Sequence, residues 1–152
     1  MKTRPAVAAD QAAILDVLID TELFPGDMLS DLMQPFLDGE SMEHWFVCDA
    51  PDQGVIGFGF LRPEALAEGV WNLLAIGIRE KAQGNGVGRA MMRYVEMFLS
   101  NERVLIVETS GTPAFAMTRD FYLKCGYSLE ATIRDYWAIG DDKVVFWKRL
   151  GN

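Results

Sequence analysis

Cysteine and histidine are scarce in this chain, with two of the first and one of the second among 152 residues. Cys48 and Cys125 have neither metal-ligand nor redox spacing, and His44 has no second histidine to work with. That excludes a disulfide framework and a zinc site, and leaves both cysteines to read as small core residues. Long hydrophobic runs are missing too: nothing approaches the roughly 18 apolar residues of a membrane span. The N-terminal MKTRPAVAAD holds only a short, weakly apolar stretch before Asp10, too little for a signal peptide. The expectation is a cytoplasmic protein that needs no metal and no membrane. Basic residues are outnumbered, 14 Lys and Arg against 22 Asp and Glu, for a net charge of −8. Such a balance argues against nucleic-acid binding, which depends on neutralising phosphates with cations. It suits an amine or otherwise cationic substrate drawn in by the protein's field.

What is present is concentrated after Trp71. An apolar stretch ends at Ile78, the polar segment Arg79-Glu-Lys-Ala-Gln83 follows, and then comes Gly84-Asn85-Gly86-Val87-Gly88. Val87, Ala90, Met91, Tyr94, Val95 and Phe98 then recur at three- and four-residue steps, one face of a helix. A glycine turn opening a helix presents unpaired backbone N–H groups and the positive end of the helix dipole, a site for anions and above all phosphate. Two phosphate loops fail on spacing. The dinucleotide pattern G-x-G-x-x-G would put its third glycine on Arg89 or Met91, although Glu108 lies about where a ribose-binding acid would stand, ~20 residues on. The P-loop requires a lysine after its glycines, and none follows.

A third pattern fits. Gln83-Gly84-Asn85-Gly86-Val87-Gly88, after a strand and a polar turn, resembles the Gln-x-x-Gly-x-Gly signature of the GNAT N-acetyltransferase superfamily. Further on, Thr118-Arg-Asp-Phe-Tyr-Leu-Lys-Cys-Gly-Tyr127 looks like the family's second signature, A-x-x-[Leu/Phe]-Tyr-x-Lys-x-Gly-[Phe/Tyr]. The resemblance spans Trp71 to Tyr127 and implies acetyl-coenzyme A as co-substrate. Gln83 to Gly88 and Arg89 would wrap its pyrophosphate, and its pantetheine arm would lie along Ile76, Gly77 and Ile78 like an added strand, with a backbone N–H at Ile78 stabilising the carbonyl oxygen. Three glycines allow close approach of the backbone. Arg79, Lys81, Arg89 and Arg93 supply a basic segment in an acidic protein.

The remaining elements follow from periodicity and punctuation. Lys2 to Ala6 reads as a strand, Asp10 to about Leu23 and Asp27 to Leu37 as helices, and His44 to Cys48 with Val55 to Leu61 as a hairpin. Val70 to Ile78 is the strand feeding the glycine loop, Gly86 to Leu99 its helix, and Val104 to Thr109 a buried β-branched strand. Pro113 to Cys125 starts at a proline, as a helix readily does. Tyr127 to Arg134 and Lys143 to Lys148 close the chain as strands. The order β-α-α-β-β-β-α-β-α-β-β predicts an α/β fold, a mixed sheet in one domain over residues 1–152.

Acetyl transfer to an amine requires that the amine lose a proton and that the leaving thiolate gain one. Tyr122 holds the tyrosine position of the second signature, where the family's general acid stands. Its phenol, of ordinary pKa ~10, suits protonation of a thiolate. Glu108, closing an apolar strand, is the candidate base, acting through a water. Asn72 stands where some members place a basic glutamate, and an amide orients a water but takes no proton. Phe115 replaces a pantetheine-binding asparagine frequent in the family. Trp71, Asn72 and Tyr136 are the substrate-binding candidates, with Phe24, Asp27, Asp31, Trp45, Asp135 and Trp137 behind them, while His44 reads as a strand-edge residue. The acceptor would be a small-molecule or peptide amine. Exposed apolar positions in the closing strands would permit a homodimer. A non-catalytic acyl-coenzyme A sensor is the alternative: it would keep the glycine loop and tolerate Asn72 and Phe115, but would have no use for Tyr122 and Glu108.

Overall fold

Near-continuous burial along His44–Ala50 and Gly54–Pro63, alternating burial along Val104–Ser110 and Asp141–Arg149, and one-sided burial along the helices underlie the architecture of the computed structural model, which describes residues 1–151. The strands are β1 (Lys2–Pro5), β2 (His44–Ala50), β3 (Gly54–Pro63), β4 (Val70–Ile78), β5 (Val104–Ser110), β6 (Ser128–Ala138) and β7 (Asp141–Arg149). The helices are α1 (Gln11–Thr21), α2 (Leu29–Leu37), α3 (Val87–Phe98) and α4 (Ala116–Lys124). The predicted order of elements holds. The strands form one mixed sheet in the order β1-β2-β3-β4-β5-β7-β6, with β4 and β5 parallel and the outer pairs antiparallel.

Three predicted helix starts shift. Asp10, Asp27 and Pro113 lie in single 3-10 turns, at Ala8–Asp10, Gly26–Met28 and Pro113–Phe115, and the α-helices begin just after them. In each turn an N–H reaches back three residues: Asp10 to Val7 O at 2.9 Å, Met28 to Pro25 O at 3.0 Å, Phe115 to Thr112 O at 3.1 Å. Tightening the first turn satisfies amides that an α-helical start leaves without partners. The last strand pair also extends further than its sequence pattern. Between Ile133↔Lys143 and Ala138↔Asp141 β6 carries extra residues, and Asp135 takes the left-handed conformation at φ 53°. Its carboxylate accepts from Gly140 N at 2.8 Å, which pins this irregular stretch where alternation alone predicts a stop.

The chain divides into two units, and the boundary falls within β4. Residues 1–62 and 74–95 make the first, whose core stacks Trp45 on Phe60 at 4.1 Å between ring centres, with Ile14, Leu18 and Met33 of the helices fully or nearly buried around them.

Residues 63–73 and 96–152 make the second unit. Here β5 and β7 have two distinct faces. Leu105, Val107, Val144 and Phe146 are buried, and α4 lays Tyr122 against Phe146 at 5.5 Å. Full burial of a side chain such as Phe146 contributes about 2–3 kcal/mol. Ile106, Glu108, Lys143, Val145 and Trp147 alternate onto the opposite face and stay partly exposed. The register sets Glu108 opposite Val145 and Ser110 opposite Lys143, so Glu108 and Lys143 are diagonal neighbours on that face.

Candidate active site

The glycine loop takes its shape from two left-handed residues. Gly84 and Gly86 both have φ +79°, a conformation that costs any residue with a Cβ about 1–2 kcal/mol. A Cβ built on either would meet nothing within 4 Å. The conformation selects glycine here rather than any crowding, and the space beside the loop stays clear for a ligand. Gln83 is extended, and its Nε2 donates to Ile78 O at 3.0 Å, tying the loop back to the end of β4. Asn85 lies over the turn, Nδ2 3.3 Å from Gln83 O. The first helical bond of α3 runs from Ala90 N to Gly86 O at 3.1 Å, so the amides of Val87 and Gly88 precede any intrahelical acceptor. These are donors of the kind a pyrophosphate takes up, backed by the helix dipole. The loop residues present therefore fit the coenzyme that the sequence implies.

The basic segment is partly committed elsewhere. Arg79 donates through Nε to Val55 O at 3.0 Å and pairs with Asp16 at 3.5 Å. Lys81, Arg89 and Arg93 are exposed around the start of α3.

The second unit holds a polar cluster built around a buried amide. Asn72 is only 2% exposed, and its Nδ2 donates to Glu64 Oε1 at 2.9 Å and to Glu108 Oε1 at 2.8 Å. Both partners accept, which fixes which end of the amide is nitrogen. Its carbonyl oxygen is buried with no hydrogen-bond partner among the described residues. The second oxygen of Glu108 makes a close ion pair with Lys143 Nζ, and that ammonium sits 4.3 Å above the ring of Tyr136. Burial alone would lower the Lys143 pKa, but the hydrogen bond and charge of Glu108 outweigh it and raise the value, so the ammonium keeps its proton. Sequence reasoning missed Glu64 and Lys143. The only signal for Lys143 was the strand register, and the register is set by the fold.

Tyr122 is 3% exposed, its ring enclosed by Phe121, Tyr127 and Phe146. Burial, helped by nearby Cys125, pushes its phenol well above the ordinary range. The phenol is thus protonated at any physiological pH. The loop from β5 to α4 is held by Arg119, whose Nη1 donates to Ser110 O at 2.8 Å and Thr112 O at 2.7 Å. Ser110 Oγ donates in turn to Asp141 at 2.6 Å. Phe115 projects to solvent beside this loop, 41% exposed.

Other sequence candidates separate by burial. His44 is not an edge residue: it is 7% exposed, within about 6 Å of the rings of Phe36, Phe46 and Tyr94, with Nε2 2.9 Å from the Tyr94 hydroxyl. Burial lowers its pKa to about 4. The apolar partners come from α2 and α3, which no strand pattern reveals. Trp45 is fully buried in the first unit's core, and Trp71 is buried edge-on against Phe98. Phe24 meets Phe58 and Phe60 edge-on. Tyr136 and Trp137 are about half exposed and contact each other, while Asp27 and Asp31 lie at the surface and Asp135 caps the final hairpin. Among the described residues no helix is long and apolar enough to cross a membrane, and no group of His, Cys, Asp and Glu could hold a metal ion.

Fold and loop together define an acyltransferase. Residues 41–129 match the family model for the acetyltransferase (GNAT) domain, and the chain belongs to that family. Its structure is similar to that of a GNAT-family protein from Desulfovibrio desulfuricans, with a TM-score of 0.88 and 27% identity over 97% of this chain and 98% of the other. It also resembles an aminoglycoside 6'-N-acetyltransferase solved with coenzyme A, at TM-score 0.75 and 14% identity over 98% and 97% of the two chains. A third resemblance is to a spermidine N-acetyltransferase chimera from Vibrio cholerae, at TM-score 0.78 and 17% identity over 98% and 96%. No curated protein matches the sequence.

Proposed function

We propose that the protein moves an acetyl group from acetyl-coenzyme A to a primary amine by direct attack, with both substrates bound at once. The observation that carries this reading is the pair of left-handed glycines, Gly84 and Gly86, opening α3 with clear space beside them. Backbone N–H groups from Gln83 to Arg89 would hold the pyrophosphate, and the edge of Ile76, Gly77 and Ile78 the pantetheine arm. Bound acetyl-coenzyme A supplies an activated acetyl thioester. Glu108, through a water, accepts the proton that the acceptor amine gives up. Tyr122 donates its phenolic proton to the departing sulfur; burial keeps the phenol protonated at working pH and makes it a weaker acid than the free group that the sequence suggests. Asn72 fixes the orientation of Glu108 through its 2.8 Å hydrogen bond. Trp71 is too enclosed for more than a supporting contact, whereas Tyr136 is exposed enough to line the acceptor's approach.

Calorimetric titration with acetyl-coenzyme A, followed by a thiol-release screen against primary amines and peptides, tests the proposal. Binding with thiol release on one amine class supports it. Binding without release on any amine points to a sensor. No binding removes the reading of the glycine loop.

A further inference from the structure

Both oxygens of Glu108 are held, and by different strands. Oε1 accepts from Asn72 Nδ2 of β4 at 2.8 Å, and Oε2 is in close contact with Lys143 Nζ of β7. The amide nitrogen has no further proton to give, because its other hydrogen goes to Glu64 at 2.9 Å. Glu108 therefore shares a neutral donor with a second acid, and like charges at one site favour uptake of a proton by one of them. Lys143 supplies the opposing charge, and among the described residues it is the one cation in contact with Glu108. The pair is also sheltered. Its two side chains are 14% and 20% exposed, whereas both members of the surface pair Lys124–Asp120 are more than half exposed. Shelter of this kind weakens screening by salt. Tyr136 of β6 lies against the same ammonium, its ring centre 4.3 Å away. The sheet register makes the meeting: Lys143 pairs with Ser110 and Glu108 with Val145, so the two are diagonal neighbours on adjoining strands.

We propose that Lys143 is a positioning residue for acyl transfer, holding Glu108 in place as a carboxylate that can take the proton of the acceptor amine. The proposal rests on the reading of Glu108 as the base. Each carboxylate oxygen has two lone pairs, so one bond on each leaves room for the water through which Glu108 acts. Lys143 itself exchanges no proton. Burial works against its charge, but the bond to Glu108 outweighs burial and raises its pKa, so it stays an ammonium without a lone pair. As the new C–N bond forms, the proton leaving the amine nitrogen passes through water to Glu108, and Lys143 keeps all of its own. The titratable groups set against Glu108 are Glu64 through Asn72, Lys143, and Tyr136 beyond it. With Lys143 gone, nothing offsets the charge of Glu64. Glu108 then takes up a proton or turns away, and in either state it accepts nothing from the amine.

The test sets Lys143→Met and Lys143→Gln, which remove the charge, against Lys143→Arg, which keeps it. Carbon-13 labelling of the glutamate carboxyls lets NMR follow Glu108 through a pH titration with no substrate present, its signal assigned by its loss in Glu108→Gln. In the uncharged variants the Glu108 carboxyl is expected to take up its proton at higher pH than in the wild-type protein, and in Lys143→Arg close to the wild-type pH. Kinetics use acetyl-coenzyme A and the amine that releases most thiol in the screen. The ratio of Lys143→Met to wild-type kcat/KM should fall by about fivefold or more from pH 8 to pH 5, with acetyl-coenzyme A affinity within about twofold of wild type. Lys143→Arg should hold that ratio nearly constant. A Glu108 titration unmoved by loss of the charge overturns the proposal, as does a ratio that stays flat with pH. Wild-type turnover in Glu108→Gln removes the base reading itself. A flat ratio beside a Glu108→Gln slowed by about 10²-fold or more removes Lys143 alone.

Discussion

The side-chain nitrogen of Asn72 lies 2.8 Å from Oε1 of Glu108, so the candidate base is oriented by a residue from a different strand, β4, whose own side chain is buried. β4 and β5 run parallel and in register from Val70↔Val104 to Leu73↔Val107, which sets Asn72 and the end of β5 on the same face. The neutral amide donates to two carboxylates without adding a charge of its own. A carboxylate in its place could not do so.

Asn72→Asp would therefore place a third carboxylate against Glu64 and Glu108. The expected result is a loss of roughly 1–3 kcal/mol of stability at pH 8, from a broken hydrogen-bond pair and like-charge repulsion. Urea unfolding of the variant and the wild-type protein at pH 8 checks the magnitude.

Tyr122→Phe should lower turnover on the best amine by about 10²-fold or more, the range of a lost general acid, with acetyl-coenzyme A affinity within about twofold of wild type. Because burial raises the phenol's pKa above its ordinary value, no loss of wild-type activity from Tyr122 ionisation should appear below about pH 10. Steady-state rates across pH together with calorimetry separate the two effects. Unchanged turnover in the variant removes Tyr122 from the chemistry.

Gly86→Ala meets no neighbouring atom, so its cost is conformational: φ +79° strains any L side chain. A loss of about 1 kcal/mol is expected, seen as a fall in melting temperature of about 2–4 °C. Acetyl-coenzyme A should bind more weakly by about tenfold, since the loop relaxes away from the shape that aims its amides. Thermal melts and titration of the same variant report the two numbers.

His44 makes the fold sensitive to acid. Its pKa falls from 6.5 to about 4 on burial, so between those values the unfolded chain holds a proton that the folded chain lacks. Stability from this residue is complete above pH 6.5 and declines towards pH 4, with a slope approaching about 1.4 kcal/mol per pH unit. A wild-type protein whose stability falls over that window no more steeply than His44→Phe would refute the assignment.

Local pattern carries some of this protein and cannot carry the rest. The order of strands and helices was legible because periodicity, β-branched runs and glycine or proline punctuation are properties of neighbouring residues. So was the shape of the loop that opens α3, since Gly84 and Gly86 are required by a backbone conformation that only glycine adopts without strain. The cluster around Asn72 was not legible. Glu64, Asn72, Glu108 and Lys143 come from separate strands or their edges, and which of them meet is fixed by the parallel β4–β5 register and by the insertion of β7 between β5 and β6. His44 makes the same point in the core: an isolated histidine in a strand pattern says nothing of the rings that α2 and α3 bring against it. By itself, the sequence determined the elements, their order and the glycine loop that opens α3. Only tertiary structure decided which charges pair and which buried acceptor is left without a donor, because pairing distances of about 3 Å depend on how distant segments align, and chain-local preferences do not encode that alignment.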